Sequence, residues 1–206
     1  ADPDTGRVMI DGVDIAHMSG AELRDQRRKL QMIFQDPYSS LNPRARVSRI
    51  LTEGLIAFGA PQDEALAKAR ELLEMVGLDA SATGRFPHEF SGGQRQRIGI
   101  ARALALNPSI IIADEAVSAL DVSIQAQVLD LLADLKARLN LSMLFITHDL
   151  RVAARICDRI IVMQKGRVVE AGLTGKVLHD PDTAYTRSLL DAIPGQEYER
   201  ALAAAG

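Results

Sequence analysis

Ser91-Gly92-Gly93-Gln94 opens a helical stretch, and Asp114-Glu115 follows the aliphatic run Ile110 to Ala113. The first group sets a hydroxyl and two glycines at a helix start, where unpaired backbone N–H groups and the positive end of the helix dipole attract an anion such as phosphate. Gly92 and Gly93 let backbone approach that anion with no Cβ in the way. The second group offers two carboxylates, hard oxygen donors suited to Mg²⁺ and to drawing a proton from water. Two more polar residues end apolar runs: Gln35 after Leu30 to Phe34, and His148 after Met143 to Ile146. In a parallel sheet, ligands bind at the carboxyl ends of the strands. Three strands ending this way predict that Gln35, Asp114, Glu115 and His148 meet at one edge. The sequence contains no G-x-x-x-x-G-K-[ST] loop of the kind that cradles phosphates. Gly175-Lys176-Val177 does not supply one, because Glu170 stands where the first glycine belongs and valine replaces the hydroxyl residue.

The elements that must position these residues alternate between strand and helix. Gly6 to Ile15 reads as a hairpin about Asp11-Gly12. Leu30 to Phe34 reads as a strand stopped before Pro37, and the Pro-, Ser- and Asn-rich segment Pro37 to Arg46 as an exposed connection. Leu66, Ala69, Leu72, Leu73 and Val76 fall at helical spacing before the stop signal Gly77. Ser91 and Gln94 have the spacing of a capping box, with Ile98, Ala101, Leu104 and Ala105 as the buried stripe and Asn107-Pro108 as the end. That box would already engage the Ser91 hydroxyl, so capping and anion binding both stand as its role. Ile110 to Ala113 shows no alternation, as in a strand covered on both faces. A helix then follows Asp121, with Ile124, Val128, Leu131, Leu132, Leu135 and Leu139 on one face and Asn140 closing it. Met143 to Ile146 reads as another buried strand, Val152 to Cys157 as helical, and Arg159 to Met163 with Arg167 to Val169 as a second hairpin. A last helix spans Ala184 to Ala192, and the tail from Gln196 reads as helical or frayed. This order predicts an α/β layered fold with a mostly parallel sheet.

Composition narrows the function classes. With 206 residues, 47% of them hydrophobic, the chain can bury a sizeable core. A net charge of −3 gives no global attraction to nucleic acid. The longest apolar runs fall far short of the roughly 20 residues that cross a bilayer. The single cysteine, Cys157, excludes an internal disulfide and reads as a core thiol. His17, His88 and His179 have no ligand-spaced partners, and Arg24, Arg27, Arg28 and Lys29 read as a solvated basic face. No secretory signal opens the chain, and the missing initiator methionine is what a cut or incomplete chain would have.

The motifs together resemble an ATP-binding-cassette (ABC) ATPase. Gln35 matches the family's Q-loop, Ser91 to Gln94 its signature motif, Asp114-Glu115 its Walker B pair, Ser118-Ala119-Leu120-Asp121 its D-loop and His148 its switch histidine. Phe34 to Arg44, Pro87-His88-Glu89-Phe90 and Tyr185 to Leu190 are similar to the ATPases of bacterial oligopeptide and dipeptide importers. The resemblance implies a P-loop NTPase-type fold with ATP and Mg²⁺ as ligands. Asp114 and Gln35 would serve the metal, Glu115 would polarise the attacking water, and His148 would contact the γ-phosphate. Ser91, Gly92, Gly93, Gln94 and Asp121 would serve nucleotide, the signature residues facing ATP bound by the opposite subunit of a head-to-tail dimer. Tyr38 to Arg46 would face a membrane-spanning permease subunit, so the protein would sit peripherally on the cytoplasmic face of the bacterial inner membrane, with no nucleic-acid partner.

The resemblance also implies a domain plan: residues 1–195 as a partial nucleotide-binding domain, with a helical subdomain at about 45–105, and 196–206 as a tail. Ala116-Val117 replaces the family's common Pro-Thr, which loosens the turn. The larger departure is the Walker A loop with its strand and helix. Their loss would leave backbone donors and apolar side chains bare, and predicts a partial chain of a longer ATPase that alone binds Mg-ATP poorly and hydrolyses none. Two rival expectations stand beside it: a non-catalytic degenerate subunit lending its signature motif to a partner's site, and a soluble ABC ATPase unconnected with transport.

Overall fold

The computed structural model describes residues 3–36 and 40–193, so Pro37, Tyr38, Ser39 and the tail expected after Gln196 lie outside the described residues. The chain forms two compact units, one ending at Ile146 and one beginning at Thr147.

A three-stranded parallel sheet organises the first unit, with β3 (Leu30–Ile33), β4 (Ile110–Asp114) and β5 (Ser142–Ile146) in the order β3-β4-β5. Leu30 pairs with Ile110, and Asp114 with Ile146, so the sequence-predicted strands run in one direction and end at one edge. The amino-terminal hairpin joins β1 (Met9–Ile10) to β2 (Val13–Asp14). Asp11 and Gly12 both take positive φ, +49° and +79°, as a two-residue turn matched to strand twist requires.

Between β3 and β4 the chain builds α2 (Val47–Ala57), α3 (Gln62–Met75) and α4 (Gly92–Leu104), packed together through Leu51, Leu72, Leu73 and Ile98, all fully buried. α3 ends as its sequence dictates: Gly77 has φ +75°, its N–H bonds Glu74, and the Leu78 N–H bonds Leu73 at 2.8 Å. α5 (Val122–Arg138) crosses from β4 to β5 and buries Val128, Leu129, Leu132 and Leu135. Asn140, at φ +50°, closes it.

Several expectations are corrected. α1 (Gly20–Lys29) buries no residue, so it carries no apolar stripe to reveal it. Its basic residues are not simply solvated: Arg24 donates to the Ala57 carbonyl, Arg24 and Arg28 lie 4.7 and 5.7 Å from the Phe58 ring centroid, and Lys29 pairs with Asp11. The N-cap of α2, Arg46, makes no side-chain cap bond, so the usual start signal is missing. The segment before it is not wholly exposed, since Leu41 and Ala45 are buried. β5 is half bare: Leu144 is 52% and Ile146 45% exposed, because among the described residues it pairs only with β4.

In the second unit, α6 (Leu150–Ile156), α7 (Thr174–His179) and α8 (Ala184–Asp191) accompany the antiparallel pair β6 (Arg159–Gln164) and β7 (Arg167–Leu173). Ala153, Ile160, Val162 and Val177 form its core; Cys157 packs against them half-buried rather than enclosed. Glu170 on β7 is buried and accepts from the N–H groups of Asp182 and Thr183 and from the Thr183 hydroxyl. Those bonds, with that of the Thr186 hydroxyl foremost, hold its pKa down to about 2 and tie β7 to the start of α8. Among the described residues no helix is long and apolar enough to cross a membrane.

Candidate active site at the sheet edge

β3 and β4 run side by side with Ile33 opposite Ala113, so extending each by two residues sets Gln35 beside Glu115. The Gln35 amide Nε2 donates to the Glu115 Oε2 at 2.5 Å, joining side chains 80 positions apart. Glu115 stands at φ +46°, the left-handed region that costs a non-glycine residue roughly 1–2 kcal/mol. Its backbone is fixed there from both sides. The Glu115 N–H donates to Ile146 on β5 at 2.9 Å, and its carbonyl accepts from the Ser118 N–H and hydroxyl, each at 3.0 Å. Ala116 and Val117, the departure from the family's Pro-Thr, are both buried, so this turn is held by packed methyl groups. Backbone strain of this kind persists only where the surrounding structure imposes it.

Asp114, the last residue of β4, is half-buried one position before that turn. Asp114, Glu115 and the Gln35 amide form a set of hard oxygen donors at one strand edge, which by donor chemistry fits Mg²⁺.

Ser91 to Gln94 occupy the first turn of α4, where the capping box is complete. The Ser91 Oγ accepts from the Gln94 N–H at 3.3 Å, and the Gln94 Oε1 accepts from the Ser91 N–H at 3.0 Å. Ser91 and Gln94 remain exposed, at the end of the helix whose dipole favours negative charge. Arg95 donates to the Phe90 carbonyl at 2.9 Å and holds the approach to the turn. The two glycines differ. A Cβ on Gly93 would lie 2.5 Å from the Ile124 Cγ2, whereas one on Gly92 would meet the Leu120 Cδ2 at 3.9 Å. Gly93 is therefore needed for the close crossing of α4 and α5 within this chain, a reason that sequence reading missed because Ile124 read only as a core residue of its own helix. Asp121 precedes α5 with no side-chain cap bond, exposed.

In the second unit, His148 is exposed two residues beyond the end of β5. Its neighbours are pinned: the Thr147 hydroxyl accepts from the Asp149 N–H at 3.0 Å, and the Asp149 carboxylate accepts from the Arg151 backbone and guanidinium. Those bonds, with the guanidinium foremost, hold the Asp149 pKa below the usual carboxylate range. Of the sequence-predicted residues, the structure thus brings Gln35, Asp114 and Glu115 together at one edge and sets Ser91 to Gln94 against α5.

A family model described as ABC transporter matches residues 1–118. A Brucella ovis protein named as a peptide import ATP-binding protein is 54% identical over 197 residues, which are 95% of this chain and 62% of that protein. The dipeptide transport ATP-binding protein DppF of Lactococcus lactis is 52% identical over 194 residues, 93% of this chain and 62% of its own length. The chain thus spans about three-fifths of the length of these curated relatives. Among solved structures, the dimeric ATP-binding cassette MJ0796, in a post-hydrolysis state bound to ADP and Pi, superimposes with a TM-score of 0.73 at 32% identity, covering 84% of this chain and 75% of that one.

Proposed function

We propose, from the premise that the chain belongs to the ABC transporter family, that it is the ATP-hydrolysing portion of a subunit that powers import of dipeptides or oligopeptides. The observation that carries this reading is the Gln35–Glu115 hydrogen bond at the carboxyl edge of the parallel sheet. Glu115 is the group that polarises the attacking water. Held in its strained turn, the carboxylate cannot swing freely, and Gln35 fixes the oxygen it grips so that the other is turned to the water. Asp114 and Gln35 are the chain's ligands for Mg²⁺. Bound Mg-ATP supplies the phosphoanhydride whose cleavage drives transport. His148, on its pinned segment, holds the γ-phosphate, and Asp121 lies against nucleotide at the turn before α5.

Ser91 to Gln94 serve a nucleotide held by a second ATPase subunit arranged head to tail. The exposure of Ser91 and Gln94 beside an already completed capping box supports this assignment. The loop Tyr38 to Arg46 is the surface for a membrane-spanning permease subunit: Leu41 and Ala45 anchor it, while Asn42, Pro43 and Arg44 point outward. The protein would then lie peripherally at the cytoplasmic face of the bacterial inner membrane.

Glu115→Gln in the complete encoded protein, assembled with its membrane partners, is the test. A fall in ATP turnover of about a hundredfold or more is expected, with nucleotide still bound; turnover within threefold of wild type overturns the reading.

A further inference from the structure

We propose that Arg102 is a positioning residue that straps the segment carrying Gln35 to α4 and so keeps the Gln35–Glu115 pair assembled. The inference rests on the hydrolytic role given to Glu115 above. Arg102 occupies the last turn of α4, half-buried. Its guanidinium donates to the Ser40 carbonyl and lies 5.7 Å from the centroid of the Phe34 ring. Burial pulls its pKa below the ordinary arginine value, yet the group stays charged at any working pH. A cation withdrawn from water needs partners, and here they are a carbonyl and an aromatic face, both on the segment that leaves β3.

The two contacts bracket Gln35. Phe34 precedes it directly and is 45% exposed, so the core does not hold the ring. Ser40 follows, its N–H donating to Asp36 at 3.1 Å, and the next residue, Leu41, is 1% exposed and fixed in the interior. Gln35 itself is exposed and must bring Nε2 to 2.5 Å from Glu115. A side chain on a loop keeps such a distance only if the loop cannot drift, and a misplacement of about 1 Å costs up to about a hundredfold in rate. Arg102 supplies the restraint from a rigid helix that begins with Ser91.

The test compares Arg102→Ala, Arg102→Lys and Phe34→Leu in the complete encoded protein with its membrane partners. Hydrogen exchange of residues 34–36 and 40–46 should quicken about tenfold in Arg102→Ala while peptides from α4 keep their protection. ATP turnover should fall about ten- to hundredfold with KM for ATP within about twofold, and Arg102→Ala should add nothing in a Gln35→Ala background. Arg102→Lys keeps a donor for Ser40 and should recover part of both losses; Phe34→Leu should quicken exchange of residues 34–36 and of Ser40, and it carries the test if Arg102→Ala fails to fold. Unchanged exchange at 34–36 and 40–46, or additive loss with Gln35→Ala, overturns the proposal. Equal turnover by wild type and Glu115→Gln would instead strike the hydrolytic role, and the exchange measurement would still decide whether the strap exists.

Discussion

The acid edge of the sheet and the first turn of α4 are both polar, both candidate phosphate chemistry, and stabilised in opposite ways. At the sheet edge, Glu115 is held by Gln35 and Ile146, residues remote in sequence, and its left-handed backbone is retained only because tertiary contacts impose it. At α4, Ser91 and Gln94 satisfy one another within a single turn, with no strain and no distant partner. The first arrangement exists only when the sheet is folded; the second would form in any helix with this sequence. A strained, cooperatively assembled group is poised to act inside its own fold. A locally satisfied, outward-facing turn is poised to meet something from outside.

That contrast is broken most directly at Glu115. Glu115→Gln keeps the turn and the volume while removing the negative charge, so turnover should fall by about a hundredfold or more with little change in stability. Gln35→Ala attacks the same pair from the other strand and should cost less, because a water can take the vacated hydrogen bond to the half-buried carboxylate. Steady-state ATPase rates beside thermal melts separate the two effects. If Glu115→Gln instead raised the melting temperature by many degrees and left turnover intact, the strain at residue 115 would have no catalytic use.

Gly93→Ala comes next, and it tests whether the α4 turn is as independent of the fold as its hydrogen bonds make it look. The new Cβ would stand 2.5 Å from the Ile124 Cγ2, closer than atoms tolerate. Ile124 is β-branched and stiff at χ1, so relief must come from a shift of α4 against α5. Overpacking of this kind costs about 1–3 kcal/mol, read as a lower midpoint of denaturation in the complete protein. An unchanged midpoint would mean that the helices part freely and that Gly93 serves only an external ligand.

How far the sequence reveals these two regions follows from the same contrast. The capping box was legible because its partners lie three residues apart and the rule is local. The strand ends were legible because apolar runs stop at polar residues, and parallel pairing then aligns Gln35 with Glu115. What stayed hidden depends on partners far along the chain. The positive φ of Glu115 has no glycine or asparagine to announce it, and the Gly93–Ile124 crossing joins residues from two helices. Nothing local sets Arg102 apart from the other arginines of its helix, because its partners Ser40 and Phe34 lie more than sixty positions away. The bare face of β5 could not be read from Met143 to Ile146 alone, because an aliphatic run reads the same in a central strand and in an edge strand.

Ser91→Ala removes half of the capping box. The Gln94 N–H loses its acceptor, at about 1 kcal/mol, or roughly 2–4 °C in melting temperature for a protein of this size. Because Ser91 is exposed, water compensates in part, and a loss of several kcal/mol would mean that the turn is tied into the core after all.

The smallest expected effect is the most discriminating. Gly92→Ala adds a methyl group one position before Gly93, yet its Cβ meets the Leu120 Cδ2 at 3.9 Å, an ordinary contact, and Gly92 is absent from the positive-φ residues. Alanine also surrenders less conformational freedom on entering a helix, so stability should hold or rise by a few tenths of a kcal/mol. If backbone must approach a partner's nucleotide at this turn, the same methyl group intrudes there and turnover of the assembled transporter falls, while the variant melts like wild type. Loss of turnover without loss of stability would separate what Gly92 does for a ligand from what Gly93 does for the fold. Equal destabilisation by Gly92→Ala and Gly93→Ala would erase the distinction, and with it the argument that the α4 turn faces outward by design of the chain and not by accident of packing.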